Sequence, residues 1–203
     1  MPTQRNAHFY LAWAKERIDE MDAALASLET KLAQVQADTR SKAEQFIADL
    51  HRKRDEFVSS AKTQAEAGEA AWETAKVQLE AEWKEFQAAT TKYFDTVGKG
   101  IEQQQAVFKS QATAQIRAWR ETADQLNASA NQLAAARRRD IDDAVSRMKA
   151  DAIAAEHKLQ EFAQAGTQSW SALNAALAET RTVFDRANQA ARDAFKRAGS
   201  SAQ

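Results

Sequence analysis

Three histidines and many carboxylates are the side chains of this 203-residue chain that could catalyse a reaction or bind a metal; it has no cysteine. His8, His51 and His157 stand far apart, and none has a second ligand at the spacing of a metal site. The carboxylates lie beside Lys and Arg, which is typical of solvated helix faces and not of paired acid–base catalysis. We therefore expect a protein that is not an enzyme, without catalytic, cofactor-binding or metal-binding residues and without a small-molecule substrate.

Two runs of basic residues are the candidate binding residues. The runs are Arg52, Lys53 and Arg54, and Arg137, Arg138 and Arg139. Each run has the charge to bind phosphates of lipid headgroups or of nucleic acid. Acidic residues directly follow both runs, so a solvated face neutralised by its neighbours is the alternative interpretation. The net charge of −1 argues against a nucleic-acid partner, because such proteins usually carry a strong positive excess.

The composition and the apolar pattern both predict an all-α fold. Five Gly and one Pro are too few for the turns of a sheet fold, and 28% of the residues are charged. Apolar residues recur in steps of three and four from about Phe9 to Arg197, which places them on one face of an α-helix. The chain has five tryptophans, most of them on this stripe; they are Trp13, Trp72, Trp83, Trp119 and Trp170. They are candidates for core packing, for contacts with a second copy, or for insertion into an apolar surface.

The strongest break in the stripe lies at Gly98–Gly100, close to the middle of the chain. Two glycines in three residues favour a turn, so we predict one long antiparallel helical hairpin, or coiled coil. Its first arm covers about 4–97, its turn 98–100 and its second arm about 101–198, with a short tail at 199–203. Each arm would be roughly 140 Å long, and residues 1–203 would form a single elongated domain. A kink within one continuous helix is the alternative.

Weaker breaks occur at Gly68, at Asn127–Asn131 and at Ala165–Thr167. No Gly, Pro or Asn lies near Leu50 or Ala150, which argues against a monomer of four equal helices. In the predicted hairpin the two basic runs would lie about 12 Å apart along the arms, close enough to form one basic zone.

The apolar face is wider than a two-stranded seam requires. Residues beside the main stripe widen it: Tyr10, Ile47, Val58, Tyr93, Val107 and Ile153. We therefore predict a homodimer in which two hairpins form an elongated four-helix assembly. A lipid surface that covers the excess apolar area is the alternative.

The segment from Trp170 to Phe195 combines an Ala-rich helix with regularly spaced Trp, Leu and Phe. It resembles in style the granule-coating phasins and the exchangeable apolipoproteins. The resemblance covers about thirty residues and consists of a pattern, so it identifies no family. It implies a helix that inserts its apolar face into a lipid or polymer surface.

Three functions are compatible with these observations. The first is a non-enzymatic scaffold or spacer built from a self-associating coiled coil. The second is a peripheral coat of amphipathic helices on a membrane, lipid or polymer-granule surface, in the style of BAR domains, phasins or apolipoproteins. The third and weakest is a rod associated with nucleic acid. The start of the chain has no apolar signal region and no stretch approaches a membrane span, so we expect a cytoplasmic protein, at most peripheral at a membrane.

Overall fold

The computed structural model confirms the all-α class and describes residues 3–67, 69–97, 100–133, 135–166 and 169–200. Within these ranges the chain contains helices and short connections, and no strand. The helices are α1 (Thr3–Leu32), α2 (Ala37–Ala67), α3 (Glu69–Thr96), α4 (Ile101–Ala130), α5 (Ala135–Gln164) and α6 (Trp170–Ser200). Each predicted arm is therefore divided into three helices, and α6 continues into the predicted tail at 199–203. With 28 to 31 residues, each helix is about 45 Å long, far shorter than the predicted arms.

The ends of these helices show which of the breaks predicted from the sequence end a helix. Asn127–Asn131 includes the end of α4, and Ala165–Thr167 directly follows α5. Gly68, Gly98 and Lys99 lie outside the described residues. The break between α1 and α2 has no Gly, Pro or Asn; backbone bonds from Gln34 to Lys31 and from Val35 to Leu32 tighten the chain there. As predicted, α2 and α5 run through Leu50 and Ala150 without a break.

The six helices form two layers of three. One layer has the order α2, α1, α4, and the other has the order α3, α6, α5. Every helix packs against its neighbours in its own layer and against those opposite in the other layer. The first and last helices, α1 and α6, therefore lie in the centre, and α2 and α5 lie at opposite edges.

The single hairpin turning at Gly98–Gly100 is not formed. After the turn, α4 does not pack along α3; it packs against α1, α5 and α6. The midpoint of the chain instead separates a first half, α1–α3, from a second half, α4–α6. The interface between the halves, which we call the seam, consists of the contacts α1–α4, α1–α6 and α3–α6.

We expect Gly166→Ala to lower the free energy of unfolding by about 1 kcal/mol. Gly166 has a φ of 73°, a backbone conformation that residues other than glycine rarely adopt. The nearest atom to an added Cβ is 3.7 Å away, so the loss would come from the backbone and not from a clash. Gly100→Ala is the matched control, since Gly100 has a φ of −73° and open space around the added carbon. Urea unfolding of both variants would contradict this account if Gly100→Ala were the more damaging change.

Candidate functional site

The five tryptophans are all buried within one copy of the chain, each at most 7% exposed. Trp13 on α1 packs against α2 and α3 within the first half. Its ring centre lies 6.2 Å from that of Phe57 and 5.7 Å from that of Trp72. Trp119 packs in the second half, 5.3 Å from the ring of Phe184. Each half thus has its own aromatic cluster. The apolar area that motivated the predicted dimer is covered largely by helices of the same chain.

The other two tryptophans lie in the seam. The guanidinium of Arg181 from α6 lies 4.7 Å from the ring centre of Trp83 on α3. Trp170 on α6 contacts Phe94 at 4.4 Å between ring centres, and its Nε1 donates to Thr91 at 3.1 Å. Aromatic rings therefore join the halves beside the charged groups described below.

The two basic runs lie on helices that do not pack against each other, so the single basic zone expected from the hairpin is not formed. On α2, Arg52 pairs with Asp49 at 2.5 Å and with Glu56 at 2.7 Å. Lys53 and Arg54 reach carboxylates on neighbouring helices. Their pairs are Lys53–Glu85 at 3.1 Å and Arg54–Asp22 at 2.7 Å. This run is therefore neutralised by its neighbours.

The second basic run begins α5. Arg138 pairs with Asp142 at 3.2 Å, and Arg139 is exposed. The side chain of Arg137 lies outside the described residues. His51 and His157 are not brought together either: His51 is exposed beside Glu29, and His157 is exposed on α5. The side chain of His8 lies outside the described residues. Across the described ranges, no group of three potential metal ligands lies together.

A buried polar network, which no sequence motif pointed to, occupies the seam. Its buried members are Glu16, Arg17 and Glu20 on α1, Gln115 on α4, and Thr180, Arg181, Asn188 and Arg192 on α6. All are at most 8% exposed, although charged residues are seldom buried to this extent without partners.

Glu20 is the centre of the network. Its carboxylate accepts two bonds from Arg181, at 3.1 Å from Nε and 2.6 Å from Nη2, and a third from Gln115 Nε2 at 3.1 Å. The Gln115 carbonyl in turn accepts a 2.6 Å bond from the Thr180 hydroxyl. A bidentate Arg–carboxylate pair is among the strongest polar contacts in proteins, and this one joins the two halves.

A second bridge lies one turn away. Arg17 of α1 donates to both carboxylate oxygens of Asp185 on α6, at 3.2 and 2.7 Å. Its guanidinium also lies 3.9 Å from the ring centre of Trp13. Further along the seam, Asn188 donates to the carbonyl of Phe9 at 3.1 Å, and Arg192 pairs with Glu73 at 2.6 Å.

The two buried carboxyl groups of α1 have different environments. Burial and the neighbouring Glu20 charge raise the pKa of Glu16 well above its usual value. Burial also acts to raise the pKa of Glu20, but the charge and hydrogen bonds of Arg181, together with the neighbouring Glu16 carboxyl group, outweigh it and lower that pKa. Of the two, Glu16 is therefore the group that takes up a proton more readily, and Glu20 is the one whose ionised form is favoured.

The network was missed because its members look like ordinary charged residues of a helix surface. A signal does exist in α6: Thr180, Arg181 and Asn188 occupy positions of the stripe where an apolar residue is expected, between Leu177 and Ala191. A polar residue on the apolar face of a helix indicates a partner on another helix. It does not indicate which helix supplies that partner.

Comparison with known proteins assigned no relationship: no family model, no curated protein and no solved structure matches this chain. Among the described helices, none has a stretch long and apolar enough to cross a membrane.

Proposed function

We propose that this chain is a non-enzymatic protein that stores amphipathic helices in a closed bundle and applies them to a lipid or polymer surface when its halves part. The observation that carries the proposal is the polar seam between two halves that each have an aromatic cluster. Because one connection, at 97–100, joins the halves along the chain, they can separate without breaking the short loops within each half.

Separation would expose helix faces suited to an apolar surface. The seam contains Trp83, Phe94 and Trp170 together with the apolar faces of α1 and α6. Helices with one apolar and one charged face lie in the interface plane of a bilayer with their aromatic residues inserted. The charged groups of the seam would regain water when the halves part, which lowers the cost of opening relative to a fully apolar interface.

A spacer function has less support from the geometry. A spacer needs length, and the helices fold back after about 45 Å. A peripheral coat needs amphipathic helices that can be released, and the bundle contains six of similar length. We therefore place the coat first.

We expect the protein to float with phosphatidylcholine vesicles on a density gradient. Brominated acyl chains should reduce its tryptophan fluorescence by at least about twofold, since bromine quenches rings that enter the hydrocarbon. Quenching is the better readout here than a blue shift of emission, because the closed bundle already shields all five tryptophans from water.

Two exposed positions test whether opening is required. Val77 is 73% exposed and Ile153 is 52% exposed, so Val77→Asp and Ile153→Asp leave the closed bundle intact. Retention should survive both changes if the inner faces meet the lipid. Loss of retention in these variants would assign binding to the outer surface, and failure of the unmodified protein to float would overturn the proposal.

A scaffold that binds another helix is the second candidate, favoured by a groove of about 890 Å³ over α1 between α2 and α4. Its lining includes half-exposed Leu11 and the small residues Ala61, Ala65 and Ala128, which allow close approach of a helix. Light scattering without lipid separates this candidate from the coat, since a self-associating scaffold gives at least a dimer mass.

A further inference from the structure

The Glu16 carboxyl group is the least satisfied charged group of the seam. Its side chain is fully buried, and Oε2 accepts a 3.0 Å bond from Arg17. The other oxygen, Oε1, has no hydrogen-bond donor among the described residues; Arg181 Nε is 3.8 Å away. An unsatisfied buried oxygen costs free energy, and the cost is much larger when the group is ionised.

The charges of the seam balance only when one carboxyl group is protonated. Two cations, Arg17 and Arg181, face three acidic groups, Glu16, Glu20 and Asp185. With a proton on Glu16, these five side chains together have no net charge. Without that proton, the seam contains two carboxylates one helical turn apart on α1 and an excess negative charge.

The other helices around α1 do not change this count. From α4 the network receives the uncharged Gln115 amide, and from α3 it receives the Trp83 ring beneath Arg181. The charged groups of α4 that reach α1 pair outside the network: Glu121 lies 2.9 Å from Lys15, and Arg117 lies 4.0 Å from Asp19. Lys76 of α3 lies over the Trp13 ring, 5.9 Å from its centre. The charged groups of α2 that reach α1 are Arg54 and His51. They pair further along the helix, with Asp22 and Glu29 respectively.

We propose that Glu16 and Glu20 form a proton-dependent latch between the two halves of the bundle. The latch is closed when Glu16 is protonated and Glu20 binds Arg181, and it is weakened when Glu16 loses its proton. The latch is a property of the closed protein and does not depend on whether the open form binds a lipid surface.

The direction of the pH dependence follows from the two carboxyl groups. Glu16, whose pKa is raised in the folded protein, stabilises the closed form below its ordinary pKa, and this stabilisation is lost as the pH rises through the raised value. Glu20, whose pKa is lowered, contributes above its ordinary pKa and loses its contribution as the pH falls through the lowered value. The latch therefore holds best in mild acid and weakens toward alkaline pH.

Spin labels can measure the opening directly, because the chain has no cysteine. Ser59→Cys on α2 and Ser146→Cys on α5 place exposed labels at opposite edges, one on each half. Ser59→Cys with Ala81→Cys on α3 is the matched pair within the first half, where Ser60 contacts Glu82. Both pairs are measured from pH 5 to pH 9 by electron–electron double resonance.

Between pH 5 and pH 9 we expect the population with the closed distance between halves to fall at least twofold, while the distance within the first half stays constant. Glu16→Gln should abolish the change, since an amide of the same shape does not ionise. Glu44→Gln, an exposed carboxylate on α2, should behave as the unmodified protein.

Three results would overturn the latch. They are a closed population that is constant across the pH range, a Glu16→Gln variant that opens like the unmodified protein, and lengthening of both label pairs together, which indicates unfolding instead of separation. If Glu16→Gln does not fold, Glu16→Leu provides the same comparison. These measurements contain no lipid, so the latch can fail while vesicle binding succeeds, and the reverse.

Discussion

Replacing Arg181 with alanine is expected to lower the free energy of unfolding by about 3–5 kcal/mol, the usual result of removing one partner from a buried ion pair. Arg181 provides two of the three hydrogen bonds to Glu20 and covers the ring of Trp83. Without it, Glu20 remains ionised or must take up a proton in a site with no other cation in direct contact. Urea unfolding followed by circular dichroism at 222 nm measures the loss.

Arg52→Ala is the matched control. Arg52 also pairs with two carboxylates, Asp49 and Glu56, but its side chain is exposed, so the midpoint should change little. A double variant, Glu20→Leu with Arg181→Met, should recover most of the stability, because apolar replacement of a whole buried pair is often neutral or stabilising. Equal effects of Arg181→Ala and Arg52→Ala would contradict the central role of the seam.

The sequence predicted the helices well because the apolar stripe reports local structure directly. Trp13, Trp119 and their neighbours recur at helical spacing, and the structure buries them. The stripe does not report which helix packs against which, since the same periodicity suits a hairpin, a dimer or a bundle. For this reason the all-α class was correct, whereas two arms of roughly 140 Å were predicted in place of six short helices.

Much of the extra apolar flank is covered within one copy of the chain. Ile47, Tyr93 and Val107 lie beside the main stripe and are at most 6% exposed, which indicates helices with more than one neighbour. A single hairpin would leave this flank exposed, which is the reason for the predicted homodimer. In the structure the chain also turns at 33–36, where no strong breaker stands, so that helices of the same chain cover much of the flank. A short loop of ordinary residues can reverse a chain when packing on both sides stabilises the turn, and only the folded structure reveals such a loop.

The buried polar network of the seam was harder to predict from the sequence than the helices. Glu16, Arg17 and Glu20 resemble any solvated acidic and basic residues on a helix. Their burial depends on α6, more than 150 residues later in the chain, which supplies Arg181 and Asp185. A pairing of this kind is a property of the tertiary arrangement, and no local pattern specifies it.

Trp119→Ala is expected to lower the free energy of unfolding by about 3–5 kcal/mol, as large-to-small substitutions of buried aromatic residues do. Trp119 is fully buried and packs edge-to-face on Phe184, so the truncation opens a cavity in the core of the second half. Its Nε1 has no hydrogen-bond partner in the part of the chain that the structure describes, so the expected loss arises from packing and not from a broken bond. Trp119→Phe should therefore retain a substantial part of the lost stability.

Comparing Trp119→Ala with Arg181→Ala separates the contribution of aromatic packing to stability from that of the buried ion pair. The effect of Trp119→Ala should be nearly independent of pH between 5 and 9, because the contact that is lost is with the uncharged ring of Phe184. Leu11→Ala, at a site 49% exposed, is the control and should cost far less than Trp119→Ala. A strongly pH-dependent effect of Trp119→Ala would mean that the aromatic cluster and the charged seam act as one unit. The halves would then be unable to part while each retains its own core.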